Sequence, residues 1–305
     1  LKKKNRAVTL GVDQCKLLKS QKNVVEIKFA KKSHIFDGIA LVNFFYWLNK
    51  QDFKEKITEY DVACKLEEFR QKNKNFFCPS FPTISAVGPN GAIIHYQPGK
   101  KCKTLNSDCL YLCDSGGQYY GATTDVTRTV YLGKGRKPSK EIKYFYTLVL
   151  LGHINISMLK FPTATRGVQI DILGRQALWM NGFDYNHGTG HGVGSFLGVH
   201  ESPFGISKTF NEFALKPGVI ISNEPGYYKK GSFGIRIENL LLVKNSNIKD
   251  FLEFETLTLC PYERNLIDKK LLNKDQINWL NNYHQNVYKK LSKFVNSKVK
   301  TWLKM

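Results

Sequence analysis

No Cys-x-x-Cys pair occurs among the seven cysteines of this 305-residue chain. Cys15, Cys64, Cys78, Cys102, Cys109, Cys113 and Cys260 are scattered and odd in number. That argues against a disulfide framework and for a reducing, cytoplasmic compartment. Apolar runs of about 18 residues are missing as well, so no membrane span is expected. The opening LKKKNRAVTL is basic but has no sustained apolar segment behind it, so it does not read as a secretory signal. A signal further upstream would leave a second compartment open. Acid is scarce: 25 Asp and Glu stand against 46 Lys and Arg, a net charge of +21. An excess of that size raises nucleic acid or an acidic membrane as a partner. The lysines are dispersed, however, and no basic stripe alternates with aromatics, as a nucleic-acid groove would want. The expectation is weak, salt-sensitive adhesion with no specific nucleic-acid recognition. Two further absences bear on chemistry. The chain has no Gly-Lys-Ser/Thr phosphate loop, and neither Ser195 nor Ser222 sits in a Gly-x-Ser-x-Gly elbow.

What remains is a chain with enough apolar content, 42%, for a full core. Its length fits one large domain of about 250 residues plus extensions. Residues 1–30 read as a basic lead-in, the end of an upstream region. Within them VVEIKFA (24–30) suits either a short strand or the start of a helix. After Ser33, Ile35, Ile39, Val42, Phe45 and Tyr46 recur at helical spacing. TEYDVACKLEEFRQK (58–72) is a second helix with Thr58 as its cap. Short β-type runs follow around Pro-Asn-Gly and Ser-Gly-Gly turns. Ser139 caps a long helix to Lys160, and another runs from Val168 to Asn181, closed by Gly182. Strands dominate from Phe196 to Val243, and 273–303 is a basic helical tail. The order of helices, hairpin, helices, hairpin gives an α+β domain of two similar halves over 31–265, with a helical extension at 266–305. An antiparallel sheet would hold the site on its concave face.

Five residues stand out chemically: Asp114, Asp125, His191, Glu224 and Glu238. The first pair lies in YLCDSGGQYYGATTDVTRTVYLG, the histidine in HGTGHGVG and the last pair in VIISNEPGYYKKGSFGIRIENLLLV. Each sits in a tightly punctuated, strand-like segment. Asp114 and Glu238 abut apolar runs, and a buried acid needs a partner or a metal. Four carboxylates and an imidazole suit a pair of divalent ions of the Mn, Co, Zn or Fe class. Gly116 and Gly117 are expected to make the tight reversal that brings Asp114 and Asp125 onto paired strands. The glycine-rich stretch around His191 permits close backbone approach to a site. Two ions of this kind activate water and polarise a carbonyl or phosphoryl group, so a hydrolase is expected.

These segments, together with SFPTISAVGPNGAIIHY and WLNNYH, resemble the pita-bread metallopeptidase family, and within it the Xaa-Pro aminopeptidases of the eukaryotic cytosolic type. The resemblance runs from about Ser33 to Tyr283 and implies the pita-bread fold, with pseudo-twofold halves around a dinuclear metal site. It implies Mn²⁺ as the preferred ion, with Co²⁺ or Zn²⁺ able to take its place. Asp114 would hold the first ion, Asp125 and Glu238 would bridge both, and His191 and Glu224 would complete the second. A water between the ions would attack the carbonyl before proline, with Glu224 moving its proton and His95 and His200 meeting the carbonyl oxygen. His187, Tyr228 and Arg236 match positions that line the proline slot. Substrates would be peptides with proline second, and the chain would form a homodimer. A prolidase-like dipeptidase and an inactive member serving as a binding module are the alternatives.

Overall fold

The side chain of Asn23 starts the first long helix by accepting from Val25 N and Glu26 N, while Glu26 returns a bond to Asn23 N at 2.9 Å. This capping box explains why 24–30 is helical: in the computed structural model, helix and not strand follows Asn23. The structure describes residues 11, 13–53, 56–133 and 135–304. The basic opening stretch 1–10 lies outside them. In chain order, α1 (Gln14–Ser20), α2 (Val24–Lys50) and α3 (Glu59–Gln71) come first. They are followed by β1 (Phe76–Pro79), β2 (Ile84–Val87), β3 (Leu110–Ser115), β4 (Gly117–Tyr119), β5 (Ala122–Thr123) and β6 (Val126–Tyr131). Then come α4 (Lys140–Ser157), β7 (Lys160–Pro162), α5 (Gly167–Trp179), β8 (Gly190–Gly192) and β9 (Glu201–Ile206). The chain continues through β10 (Ile220–Asn223), β11 (Gly226–Lys229), β12 (Phe233–Arg236), β13 (Asn239–Asn245) and β14 (Phe251–Thr256) to α6 (Lys274–Leu291) and α7 (Ser297–Lys304). No helix among the described residues is long and apolar enough to cross a membrane.

Thr58 caps α3 and Ser139 caps α4, as their sequences suggest. Gly182, at φ 77°, takes the left-handed conformation beyond α5. The tail is helical, as expected, and is built as two helices. Asn296 restarts it, its side chain accepting from Val299 N at 3.0 Å. The break lets α7 turn back onto α2, where Trp302 meets Tyr46 edge-on with ring centroids 6.1 Å apart. WLNNYH lies inside α6, where Tyr283 is buried and its single hydroxyl proton is shared between Cys260 O at 2.8 Å and Thr258 O at 3.0 Å.

The halves repeat one plan. In each, two helices precede an antiparallel strand pair, and an inner hairpin interrupts the pair. In the first half β3 pairs β6, and β4–β5 is the inner hairpin. In the second, β10 pairs β13 and β11–β12 is the inner hairpin. The halves touch along β6, where Glu238 N donates to Thr127 O at 3.1 Å. This corrects the expected role of Gly116 and Gly117, which do not turn the chain. The reversal is made further on, at Gly121 with φ 88°. At Gly116 a Cβ would stand 1.9 Å from Thr124 O, so that glycine serves close backbone approach.

Candidate metal centre

Inner hairpins deliver acids to one place. Asp114 is the penultimate residue of β3 and pairs with Thr127 across to β6. Asp125 precedes β6 by one residue, and Glu238 stands in the same position before β13. Glu224 follows β10 directly, and His191 is the middle residue of β8, which pairs with β10. The repeated plan thus brings four acids, the outermost being Asp114 and Glu238, into one inward-facing set. Ligand atoms of Asp125, His191 and Glu238 all lie within 4.8 Å of one another. His191 Nε2 stands 3.2 Å from Glu224 Oε1 and 3.5 Å from Asp125 Oδ2. The charges of Asp114, Asp125 and Glu224 are all felt by Glu238, so all five predicted residues share the site.

Each member is aimed by a neighbour. His191 Nδ1 lies 2.9 Å from Gly192 O, which makes it the donor nitrogen and turns Nε2 toward the acids. Ser222 Oγ accepts from His191 N at 2.9 Å and donates to Glu224 Oε1 at 2.8 Å. Thr127 Oγ1 donates to Glu238 Oε2 at 2.7 Å. Ser222 and Thr127 were not singled out from sequence. For Thr127 a signal exists, since it lies two residues beyond Asp125 on an alternating strand and so shares its face.

The electrostatics of the cluster favour a cation beside it. Burial pushes Asp125 up to about 7, against the pull of His191 and with the Asp114 and Glu224 charges adding to the rise. Glu238 is driven well above the carboxylate range by burial and then by the surrounding acids. Burial opposes ionisation of Glu224 too, but His191 outweighs it and brings Glu224 down to about 2. His191 in turn is raised: burial pulls it down, and the bonds to Asp125 and Glu224 more than reverse that. Buried acids this close cannot all ionise without a cation. Asp114 Oδ1 and Asp125 Oδ1 are buried without a hydrogen-bond partner. Unsatisfied carboxylate oxygens beside an imidazole fit hard or borderline divalent ions.

A second chain of contacts runs from the acids to the expected substrate side. Arg236 Nη2 donates to Asp114 Oδ2 at 2.6 Å, and its Nη1 donates to Tyr228 OH at 2.8 Å. Tyr228 OH therefore donates to His187 Nε2 at 2.8 Å, leaving His187 Nδ1 to donate to Gly188 O. That sequence of bonds wants a neutral His187, and burial, the largest influence, does lower its affinity for a proton. Burial pushes Tyr228 up to about 12, so it stays a donor. His200 is exposed beside the acids, its ring 4.1 Å from that of His191. Burial and then the His191 charge lower it. His95 is exposed on the loop after β2 and is among the charges His200 feels. His200 is followed by Glu201, which takes a buried ion pair from Lys22 Nζ at 2.5 Å. Lys22 belongs to the α1–α2 junction, another contributor not read from sequence.

The sequence profile of metallopeptidase family M24 matches residues 28–245, and the profile of that family's C-terminal region matches 250–305. A probable Xaa-Pro aminopeptidase P of Botryotinia fuckeliana is 48% identical over 287 residues, covering 90% of this chain and 43% of the relative. The aminopeptidase P1 of Lotus japonicus is 46% identical over 88% of this chain and 45% of its own length. Among solved structures, the X-prolyl aminopeptidase of Caenorhabditis elegans, described as a cytosolic enzyme with a di-nuclear active site, superposes with a TM-score of 0.90 at 39% identity. That match covers 96% of this chain and 49% of the nematode chain. The Xaa-Pro dipeptidase of Bacillus anthracis superposes at 0.71 with 27% identity, over 82% of this chain and 64% of that one. The chain spans about half the length of the curated relatives it matches. With its two repeated halves, its inward acids and these likenesses, the chain belongs to metallopeptidase family M24 and has the pita-bread fold.

Proposed function

We propose that this chain is the catalytic part of a metal-dependent Xaa-Pro aminopeptidase, releasing the first residue from peptides with proline second. The observation that carries the reading is the convergence of Asp114, Asp125, His191, Glu224 and Glu238, with carboxylate oxygens of the two aspartates buried and unpartnered. Asp114 and Asp125 would hold one divalent ion, with Asp125 and Glu238 shared with a second that His191 and Glu224 complete. Mn²⁺ is the ion we assign, with Co²⁺ or Zn²⁺ as substitutes. Bound there, such ions supply a water that is acidic at neutral pH and a Lewis acid for the scissile carbonyl.

The chain's own residues do the rest. Glu224, oriented by the Ser222 hydroxyl, accepts the proton of the attacking water and returns it to the leaving nitrogen. His200 and His95 donate to the carbonyl oxygen as charge develops on it. His187, Tyr228 and Arg236 form a fixed wall for a proline ring, which is rigid and lacks an N–H. Arg236 also orients Asp114. A homodimer and a cytosolic location belong to this proposal, on the family type and the nematode enzyme's description.

His200→Ala should keep both ions and lose on the order of a hundredfold in turnover, because a donor to the transition state is removed. Asp125→Ala should lose ion binding as well. Metal content and hydrolysis of Xaa-Pro-Pro are measured on both variants and the parent. Equal metal loss in the two would end this division of labour. Cleavage of Xaa-Pro but not Xaa-Pro-Pro by the parent would mean a prolidase-like dipeptidase, and ion binding without either cleavage would mean a binding module.

A further inference from the structure

Glu59 is fully buried in the first turn of α3, and its carboxylate gathers protons from one loop. Oε1 accepts from Val87 N at 2.7 Å and from Asn90 Nδ2 at 3.0 Å. Oε2 accepts from Tyr96 OH at 2.6 Å, from Lys103 N at 3.0 Å and from the same Asn90 amide at 3.0 Å. Glu59 N completes a reciprocal pair by donating to Lys103 O at 2.9 Å. All four donor residues lie between 87 and 103, the segment that carries His95.

A buried carboxylate is costly unless its lone pairs are filled, and here both oxygens are filled from the same loop. Burial, with Glu59 adding to it, raises the Tyr96 hydroxyl well beyond its ordinary range, so Tyr96 remains a donor at any working pH. The other chain neighbour of His95 is fastened independently. Ile94 O accepts from Arg236 Nη2 at 3.4 Å, and that same guanidinium grips Asp114. His95 is thus an exposed side chain between two anchored residues. One neighbour is held by its backbone carbonyl and the other by its hydroxyl, which narrows the positions open to the imidazole, and a donor to a developing charge is sensitive to displacements of about 1 Å.

We propose that Glu59, acting through Tyr96, is a positioning residue for His95, holding its ring where the scissile carbonyl arrives. This rests on the reading of His95 as a contact of that carbonyl. Helix capping alone does not account for Glu59, since Thr58 and Asp61 already cap α3. Glu59 spends both oxygens on the His95 loop.

The test is a double-variant cycle on the metal-loaded protein with Xaa-Pro-Pro, using Tyr96→Phe, His95→Ala and the pair. Tyr96→Phe removes one hydroxyl and leaves Glu59 its other donors, so the fold is retained. Glu59→Gln is the harsher companion, because it sets an amide against donors. Tyr96→Phe should lower kcat/KM roughly tenfold in the parent and less than twofold when His95 is already alanine. Amide hydrogen exchange, read by mass spectrometry, should show faster uptake over 88–97 in Tyr96→Phe and unchanged uptake in β10 and β13. Full additivity with an impaired His95→Ala would overturn the positioning role and leave His95 in the mechanism. Parent-like turnover in His95→Ala would remove His95 and this inference together. Unchanged exchange over 88–97 would overturn the inference whatever the turnover.

Discussion

His153 is a buried imidazole whose two nitrogens are both occupied. Nδ1 donates to Asn223 O at 3.1 Å, and Nε2 accepts from Tyr262 OH at 2.9 Å. Burial, and then the charge of Arg128, lowers it from 6.5 to about 3. His284 follows the same logic: its Nε2 accepts from Tyr262 N, and burial with Arg264 brings it to about 4. Both groups have folded values below their unfolded ones, so the unfolded chain takes up protons first. Their contribution is whole above pH 6.5 and is lost as the pH falls toward the folded values. By pH 5 the loss is roughly 2 kcal/mol for each. Calorimetric stability should therefore fall between pH 6.5 and 4.5, with His153 and His284 each taking up about one proton on unfolding. His153→Gln should reduce that slope by about one proton, and a slope that stays the same would rule the imidazole out as a source.

Two inner hairpins and the loops against them set the site at the scale of elements. A Cβ on Gly234, in β12, would come 1.7 Å from Gly91 O, so the loop after β2 lies directly on the hairpin that carries Tyr228 and Arg236. Gly234→Ala must separate them and should cost about 1–3 kcal/mol, with a fall in turnover. Gly99→Ala, with nothing within 4 Å of the new carbon, should change neither. Thermal unfolding and activity of the two variants, measured side by side, decide the point. The same elements show what was legible in the sequence. The five candidate ligands could be singled out because each is a charged residue set among apolar strand residues and glycine or proline turns. Helix starts at Thr58 and Ser139 were readable because a cap is a local event. The turn at Gly121 was not, because Gly116 and Gly117 carry the same local signal and only packing, of Gly116 against Ser80 and Thr124 and of Gly117 against Phe76 and Tyr119, assigns them elsewhere. Nor were the supporting bonds: Thr127 and Glu238 are 111 residues apart, and Lys22 and Glu201 are 179 apart. No periodicity encodes such pairs.

The net charge of +21 is distributed around a centre of the opposite sign. Four acids and one histidine occupy that centre, and the ion-free chain must protonate some of them or tolerate their repulsion. Ions that bind only the folded state then act as stabilisers, by about 2.7 kcal/mol at a hundred times their dissociation constant. Exhaustive chelation at pH 7.5 should lower the melting temperature by several degrees, and Mn²⁺ should restore it. Asp125→Ala should respond to neither treatment. A parent protein whose melting is indifferent to chelation, with metal loss verified, would show that these acids do not hold ions.

The junction between α1 and α2 has a consequence for how the molecule fails. Gln21 bridges to Val219 at the start of β10, Lys22 N donates to Gly218 O, and the Lys22 ammonium grips Glu201 beside His200. This short strap lies ahead of the 28–245 family match and contributes none of the five candidate ligands. Proteolytic nicking between Lys22 and Asn23 would leave the ion-holding set and both strand pairs intact while releasing the tether on the His200 loop. Such a nicked protein would sequester metal and bind peptide yet turn over slowly, so loading and competence would part company in aged preparations.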